Sequence, residues 1–430
     1  LLSRGLGDVY KRQIIGAGIS GLSSAHFLKD HYDVTVFEKE STPGGLIRCE
    51  RVGDNLFHTC GGHIFNSKRQ DVLDWFWSKF KVEEEFTKAD RNSVVYMNNA
   101  KEIPYPIENH MYLFDADIQK KFINDLLQIV RNEGNEPTNF EEFLKHRFGK
   151  TLYEMYFKPY NEKVWRRDLV QIPLSWLAGK LPMPTVAEII FNNINHIKEK
   201  AFVHATFWYE KMNGSQYIAD KLAEGINIHY NANIESILYT EKKWSVCGEE
   251  FEKVIFCGNI QQLPTLIKGV DIDMYEKEIS SLEYHGTTTV FCEIDRNPYS
   301  WIYLPSHEYE SHRIICTGNF AISNNAANLS SDRITATIEF TDEIDKDTIQ
   351  DNINRMPFHP KYLDHKFNKC TYPIQDADTR RMIHSLKAYL TQSNFYFTGR
   401  FADWEYYNMD VAMGAAMDLC KTIRYEANKD

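Results

Sequence analysis

Ile14-Ile15-Gly16-Ala17-Gly18-Ile19-Ser20-Gly21, with the run Val34-Thr35-Val36-Phe37-Glu38 behind it, decides how this chain folds. The glycines follow the spacing Gly-x-Gly-x-x-Gly, entered from an apolar pair and left through the helical run Leu22 to Lys29. Each part has a physical task. Gly16 permits a tight turn, Gly18 lets backbone approach a pyrophosphate, and Gly21 lets helix and strand pack closely. Ser20 opens the helix, whose N-terminus offers free N–H groups and partial positive charge to phosphate. Glu38 ends the second strand, where a carboxylate can accept hydrogen bonds from two ribose hydroxyls. A lone glycine triplet is weak. Strand, turn, helix, strand and terminal acid in this order predict a Rossmann-type dinucleotide fold.

Composition bounds the rest. At 430 residues the chain is expected to form two or three domains. Its 43% hydrophobic and 25% charged content is that of a globular protein, which excludes a disordered or fibrous chain. A net charge of -11 argues against general nucleic-acid binding. It also requires a local basic cluster for any anionic substrate. The 8 cysteines contain no Cys-x-x-Cys pair, which argues against a zinc knuckle or redox dithiol. They read as free thiols in a reducing cytoplasm. No apolar run reaches the roughly 18–20 residues of a membrane helix, and no signal peptide is visible, so a cytoplasmic location is expected. Residues 1–13 lack an initiating Met, and Asp8-Val9-Tyr10-Lys11-Arg12-Gln13 reads as translated adapter. That segment is expected to be foreign and to lie outside the fold.

Outward from the turn, residues 14–95 begin the nucleotide domain. Residues 96–214 read as a mainly helical domain, with the helical pattern from about Tyr112 to Lys200 and proline-rich joints at Pro104-Tyr105-Pro106, Pro159 and Leu181-Pro182-Met183-Pro184. Strand patterns return over 215–280, as in Val254-Ile255-Phe256-Cys257. They continue over 281–379, where Thr287 to Glu293, Ile314 to Gly318 and Ile334 to Phe340 predict an antiparallel substrate sheet. Residues 380–430 hold a late strand, Asn394 to Phe397, then Gly399-Arg400 and a small-residue helix from Met409 to Cys420. Both ends of the chain are expected to build one domain.

The step from Glu38-Lys39 to Gly44-Gly45-Leu46 resembles FAD enzymes of the glutathione-reductase and amine-oxidase type, not NAD dehydrogenases. The resemblance implies an α/β fold with a Rossmann-type, glutathione-reductase-like FAD-binding domain made of 14–95, 215–280 and 380–430. An inserted helical domain (96–214) and an antiparallel β-sheet substrate domain (281–379) complete it. Gly16, Gly18, Ser20, Gly21, Glu38, Lys39, Gly44, Gly45 and Leu46 would hold FAD. Gly399, Arg400, Asn408 and Met409 would close on it from the far end.

A narrower likeness rests on motifs spread along the chain. These are Gly61-Gly62-His63-Ile64-Phe65, Ile103-Pro104-Tyr105-Pro106, Lys158-Pro159-Tyr160-Asn161-Glu162-Lys163-Val164-Trp165 and Trp176-Leu177-Ala178-Gly179-Lys180. His312-Arg313 and Gly399-Arg400-Phe401-Ala402-Asp403-Trp404-Glu405-Tyr406-Tyr407-Asn408-Met409-Asp410 follow. In this order they resemble UDP-galactopyranose mutases and their relatives, isomerases of surface polysaccharide biosynthesis. The resemblance implies a UDP-hexose substrate and reduced FAD, whose N5 attacks the anomeric carbon and displaces UDP without net redox change. A reductant, NAD(P)H or a reductase, would be a partner, and an oligomer is compatible with it.

Site residues follow from the same likeness. His63 matches the histidine beside flavin N5, and Arg400 an arginine touching the flavin. Arg313 matches a diphosphate clamp, a task suited to the planar fork of guanidinium. Tyr406, with Tyr407 beside it, matches a tyrosine on the diphosphate. Asn161, Trp165 and Tyr105 match positions around UDP. Lys180 stands where many members carry a second diphosphate arginine, and Ile107-Glu108 where relatives place an aromatic and Gln. Arg166-Arg167 could add local positive charge. These departures keep a second reading open, an FAD-dependent oxidoreductase of the amine-oxidase or protoporphyrinogen-oxidase type. A flavin-binding scaffold in a glycan-assembly complex is a third.

Overall fold

The apolar pair ahead of the glycine turn becomes the centre of a parallel sheet. A computed structural model of the chain describes residues 11–131, 136–174, 184–197, 205–376 and 378–427. Twelve strands make its two principal sheets. They are β1 (Lys11–Ile15), β2 (Asp33–Phe37), β3 (Ser93–Met97), β4 (Lys101–Pro104), β5 (Asn227–His229) and β6 (Lys253–Phe256). Then come β7 (Glu283–Asp295), β8 (Trp301–Tyr303), β9 (Arg313–Ile315), β10 (Arg333–Thr341), β11 (Lys361–Ile374) and β12 (Phe395–Phe397).

The first sheet has the order β12-β6-β1-β2-β5, parallel throughout. Strands covered on both faces need unbroken apolar runs, and Val254-Ile255-Phe256 and Phe395-Tyr396-Phe397 supply them. Helix α1 (Ile19–Leu28) crosses from β1 to β2. It packs beside helix α3 (Met409–Ala427), where Cys420 Sγ reaches the Ser24 carbonyl at 3.8 Å. Beginning and end of the chain thus share one layer. Helix α2 (Lys158–Trp165) lies between them in sequence, within the helical part.

The second sheet has the order β11-β7-β10-β9-β8-β3-β4. It is mixed and not purely antiparallel, because β8 runs parallel to β3. Its last two strands come from before the helical segment, so β4 falls inside the 96–214 block read as helical. Val94-Val95 and Ile103 are buried at this edge, which is why the short polar strands around them are retained in the sheet. A further strand of that block, Thr206–Glu210, pairs with Phe86–Asp90. The helical part proper therefore lies between Ala116 and Asn195.

The strand entering the glycine turn begins earlier than its apolar residues suggest. Lys11, Arg12 and Gln13, set aside above as foreign, pair with β2 and β6 as part of β1. Arg12 is buried and reaches Glu252 at 2.7 Å. Gln13 is fully buried, and neither atom of its amide has a hydrogen-bond partner among the described residues. An unsatisfied buried amide costs on the order of 1–3 kcal/mol. Gln13→Leu, near in volume, should therefore raise stability by at least about 1 kcal/mol. A denaturant titration would show a higher midpoint with the same slope; an unchanged or lower midpoint would contradict this accounting.

Candidate functional site

Two glycine turns meet at the end of the parallel sheet. Gly16 has φ +101°, and a Cβ on Gly21 would stand 1.9 Å from the Gly16 carbonyl oxygen. The second turn starts at Gly44, φ +118°, whose N–H donates to the Ala17 carbonyl at 2.9 Å. A Cβ on Gly45 would lie 3.3 Å from Gly18 Cα. Neither turn tolerates side chains, so bare backbone faces the space at the α1 N-terminus. Glu38 is buried and fixes the first turn. Its Oε2 accepts the Ala17 N–H at 2.6 Å and its Oε1 the Glu40 N–H at 3.0 Å. Each oxygen keeps a lone pair for a ribose hydroxyl. Lys39 points elsewhere: its side chain is 72% exposed and pairs with Glu40 at 3.7 Å.

The far end of the chain arrives at the same turn. Gly399, φ +127°, lies against buried Ser20: a Cβ on Gly399 would be 3.2 Å from Ser20 Oγ. Arg400 donates from Nε to the Tyr407 carbonyl at 3.1 Å and from NH1 to the Thr371 carbonyl at 3.2 Å. These bonds draw the start of α3 inward, with Met409 buried and Asn408 exposed just ahead of it. His63 follows the Gly61-Gly62 turn. Its Nε2 is buried without a hydrogen-bond partner among the described residues. Burial, then the charge of Arg400, lowers its pKa to about 4 against the pull of Glu339 and the Leu46 and Cys60 backbone. The imidazole is neutral at physiological pH. Bare turns, a helix N-terminus, a ribose-competent carboxylate and an orphaned ring nitrogen together fit a flavin dinucleotide.

Beside this cradle stands a charged cluster. Arg313 opens β9 and pairs through Nε with Glu339, its cross-strand neighbour on β10. Glu339 is fully buried and also accepts the Gly61 N–H at 2.8 Å. Burial pushes Glu339 toward its protonated form, but Arg313 and His312 outweigh it and hold its pKa well below the usual carboxylate range. Arg313 NH2 donates to Tyr372 Oη at 2.9 Å. The Tyr372 ring stacks on Tyr406 with centroids 5.5 Å apart and planes 3° apart. The Arg400 guanidinium lies 4.5 Å from the Tyr406 centroid. Two arginines against one buried carboxylate give the local positive field that a chain of net charge -11 needs for an anion. The Nε and NH2 bonds leave Arg313 NH1 as a donor for such an anion.

His63, Arg313, Arg400 and Tyr406, singled out from sequence, thus gather in one place. Tyr407 contributes its carbonyl to Arg400, and burial followed by Asp403 raises its phenol well above the ordinary range. Other expected residues behave differently. Trp165 is a core residue, 4% exposed, whose carbonyl is 2.7 Å from His285 Nε2. Asn161 spends its amide N–H on the Phe157 carbonyl at 2.7 Å, inside its own helix. Tyr105 packs on Tyr303 at 5.0 Å, and Tyr160 on Tyr303 at 5.5 Å, in an aromatic wall next to His312. Ile107 and Glu108 are buried. Arg166 and Arg167 pair with Glu310 and Glu283 and are not committed to the cluster. Lys180 lies outside the described residues.

Glu339 and Tyr372 are the residues that sequence reading missed. Both sit on strands whose pairing decides their partners, and one sequence does not display a register. The signal was the unexplained acid in Ile338-Glu339-Phe340, a charge within an otherwise apolar strand.

Comparison with known proteins agrees with the fold. Residues 14–80 match the NAD(P)-binding Rossmann-like domain family. The chain is similar to dTDP-fucopyranose mutase of Escherichia coli, 22% identical over 97% of this chain and 99% of that protein. Among solved structures it superposes on reduced UDP-galactopyranose mutase with a TM-score of 0.84 at 21% identity, covering 96% of this chain and 95% of that one. A putative protoporphyrinogen oxidase from Exiguobacterium gives 0.72 at 12% identity, over 97% and 99% of the two chains. The chain has the fold of UDP-galactopyranose mutase.

Proposed function

We propose that this protein is an FAD-dependent nucleotide-sugar mutase that interconverts pyranose and furanose forms of a UDP-hexose. The observation that carries the proposal is the Glu339–Arg313–Tyr372–Tyr406–Arg400 cluster beside His63. Gly16, Gly18, Gly21, Glu38, Gly44 and Gly45 would hold FAD in a glutathione-reductase-like manner. Reduced FAD supplies a nucleophilic nitrogen for the anomeric carbon when bound.

The residues of the chain do the rest. Arg313 NH1 grips a diphosphate oxygen, and the hydroxyls of Tyr372 and Tyr406 hydrogen-bond its neighbours. As the sugar–oxygen bond breaks, negative charge grows on the diphosphate, and Arg313 and Arg400 stabilise it where little water competes. Glu339 keeps Arg313 aimed, because a guanidinium bonded at Nε and NH2 cannot swing away. Stacked Tyr372 and Tyr406 shield the diphosphate while the sugar opens and recloses. Neutral His63 offers Nε2 as a hydrogen-bonding atom without adding charge. The oxidoreductase reading shares the fold. Amine and porphyrinogen oxidation leave unexplained why a buried carboxylate holds an arginine beside stacked tyrosines.

The decisive trial uses dithionite-reduced, FAD-loaded protein with UDP-galactofuranose under anaerobic conditions. Formation of UDP-galactopyranose without net flavin oxidation is expected. Amine or porphyrinogen oxidation in its place would reject the mutase assignment. Arg313→Lys, which keeps a cation beside Glu339 but removes the guanidinium fork, should weaken UDP binding by roughly tenfold or more, the worth of a charge-assisted contact, and leave the bound-FAD spectrum unchanged. Unaltered UDP affinity by calorimetry would remove Arg313 from the diphosphate.

Stability should also depend on pH in a defined direction. Burial lowers His58 and His63 from 6.5 to about 3 and about 4. As pH falls below 6.5 the unfolded chain takes up protons that the native state refuses. Stability present above pH 6.5 is then lost progressively toward pH 4. Melting temperatures measured between pH 7.5 and 4.5 should decline; a flat profile would refute the buried neutral state of these rings.

A further inference from the structure

Lys163 of helix α2 spends its whole ammonium on backbone. Nζ donates to the Leu304 carbonyl at 2.7 Å, to the Ser311 carbonyl at 3.1 Å and to the Ser306 carbonyl between them in sequence. The Tyr309 ring lies 5.6 Å from the same nitrogen. All four residues belong to the loop 304–312, which links β8 to β9 and ends at Arg313. Leu304 and Ser311 stand on its two limbs, and the Leu304 N–H donates to the His312 carbonyl at 2.9 Å. A side chain from the helical part therefore closes the hairpin where Tyr303 pairs with Arg313.

The hydrogen count is complete. A backbone carbonyl can only accept, so three carbonyls need three hydrogens on Nζ, and only the ammonium has them. A neutral amine would turn its lone pair on the third. Burial draws the Lys163 amine down to about 7, and Glu310 works against that shift. The three carbonyls favour the charged form as well. Lys163 also fixes what α2 presents. Tyr160 lies one turn earlier, with its ring 5.5 Å from Tyr303 and 6.3 Å from His312.

We propose that Lys163 is a positioning residue: by joining both limbs of the β8–β9 hairpin to helix α2, it holds Arg313 and the Tyr160–Tyr303 wall in one arrangement before the nucleotide arrives. The ligand here rests on the mutase reading, whereas the clasp rests on the three carbonyl bonds. Without the ammonium the hairpin loosens, and UDP must order it on binding. That cost falls on binding and not on the step that follows.

Lys163→Met keeps the stem and removes every donor. In the FAD-loaded, reduced variant the KM for UDP-galactofuranose and the Kd for UDP should both rise roughly tenfold. Its kcat should stay within about threefold of wild type. Amide exchange over 304–313 should quicken in the free variant and slow again with UDP. Arg166→Gln, which breaks the outer pair with Glu310 of the same loop, should keep wild-type KM and exchange. Wild-type KM and exchange in Lys163→Met would overturn the proposal, as would a loss in kcat at constant KM or an equal loss in Arg166→Gln. Should Lys163→Met fail to fold, Lys163→Gln, with two donors on a shorter stem, is judged by the same outcomes. A wild type that binds no UDP and leaves UDP-galactofuranose unconverted defeats the mutase reading, whereas exchange over 304–313 still tests the clasp.

Discussion

The contact between Glu339 and Arg313 is the constraint on which the site depends. A carboxylate without solvent exposure is expensive to ionise, and the cost is met only by a close, well-aligned cation and further hydrogen bonds. Glu339 has both, through Arg313 and the Gly61 N–H. That one carboxylate joins the strand carrying Arg313 to the turn carrying His63. A shift of β9 against β10 by one residue would turn Arg313 to the opposite face and leave the acid unpaired. Register in the mixed sheet and geometry at the cofactor edge are therefore set by the same interaction.

The dinucleotide cradle is a different kind of structure. It is built by what is missing: side chains at Gly16, Gly21, Gly44 and Gly45 would collide with backbone or force it from its turn. Such a surface binds phosphate through main-chain N–H groups and a helix end. The late Gly399-Arg400 segment closes on it, so the domain is completed only when the last tenth of the sequence returns to the first. The chain is acidic on average, and among the described residues Arg313 and Arg400 approach the Tyr372–Tyr406 stack from its two sides, Arg313 at Tyr372 and Arg400 at Tyr406. A local cation pair on a chain of net charge -11 favours a small anion over a polyanion.

Local features were legible in the sequence, and relations across the fold were not. The glycine turn, Glu38 and the strand at Val254 follow from spacing and runs of apolar residues, and the structure has them. His63, Arg313, Arg400 and Tyr406 were visible as matches to motifs, though nothing in their spacing says they meet. Trp165 and Asn161 belong to the same motifs and serve packing and helix bonding, because a motif records what a helix needs as well as what a ligand needs. Glu339 and Tyr372 escaped because cross-strand register decides their roles. The helical pattern from about Tyr112 to Lys200 was legible, but the strand at the start of the 96–214 block was not: β4 is short and polar, and only pairing with β3 makes it a strand. The Lys11–Gln13 half of β1 escaped because its burial is imposed by neighbouring strands, against its polar composition.

The central claim is that the Arg313 cluster holds a nucleotide diphosphate next to the flavin. A crystal structure of the dithionite-reduced, FAD-loaded protein soaked with UDP tests it most directly. The account predicts diphosphate oxygens within hydrogen-bonding distance of Arg313 NH1 and the hydroxyls of Tyr372 and Tyr406, with His63 Nε2 facing the flavin. UDP bound elsewhere on the molecule, or a saturated crystal with the Arg313 cluster filled by water alone, would contradict it.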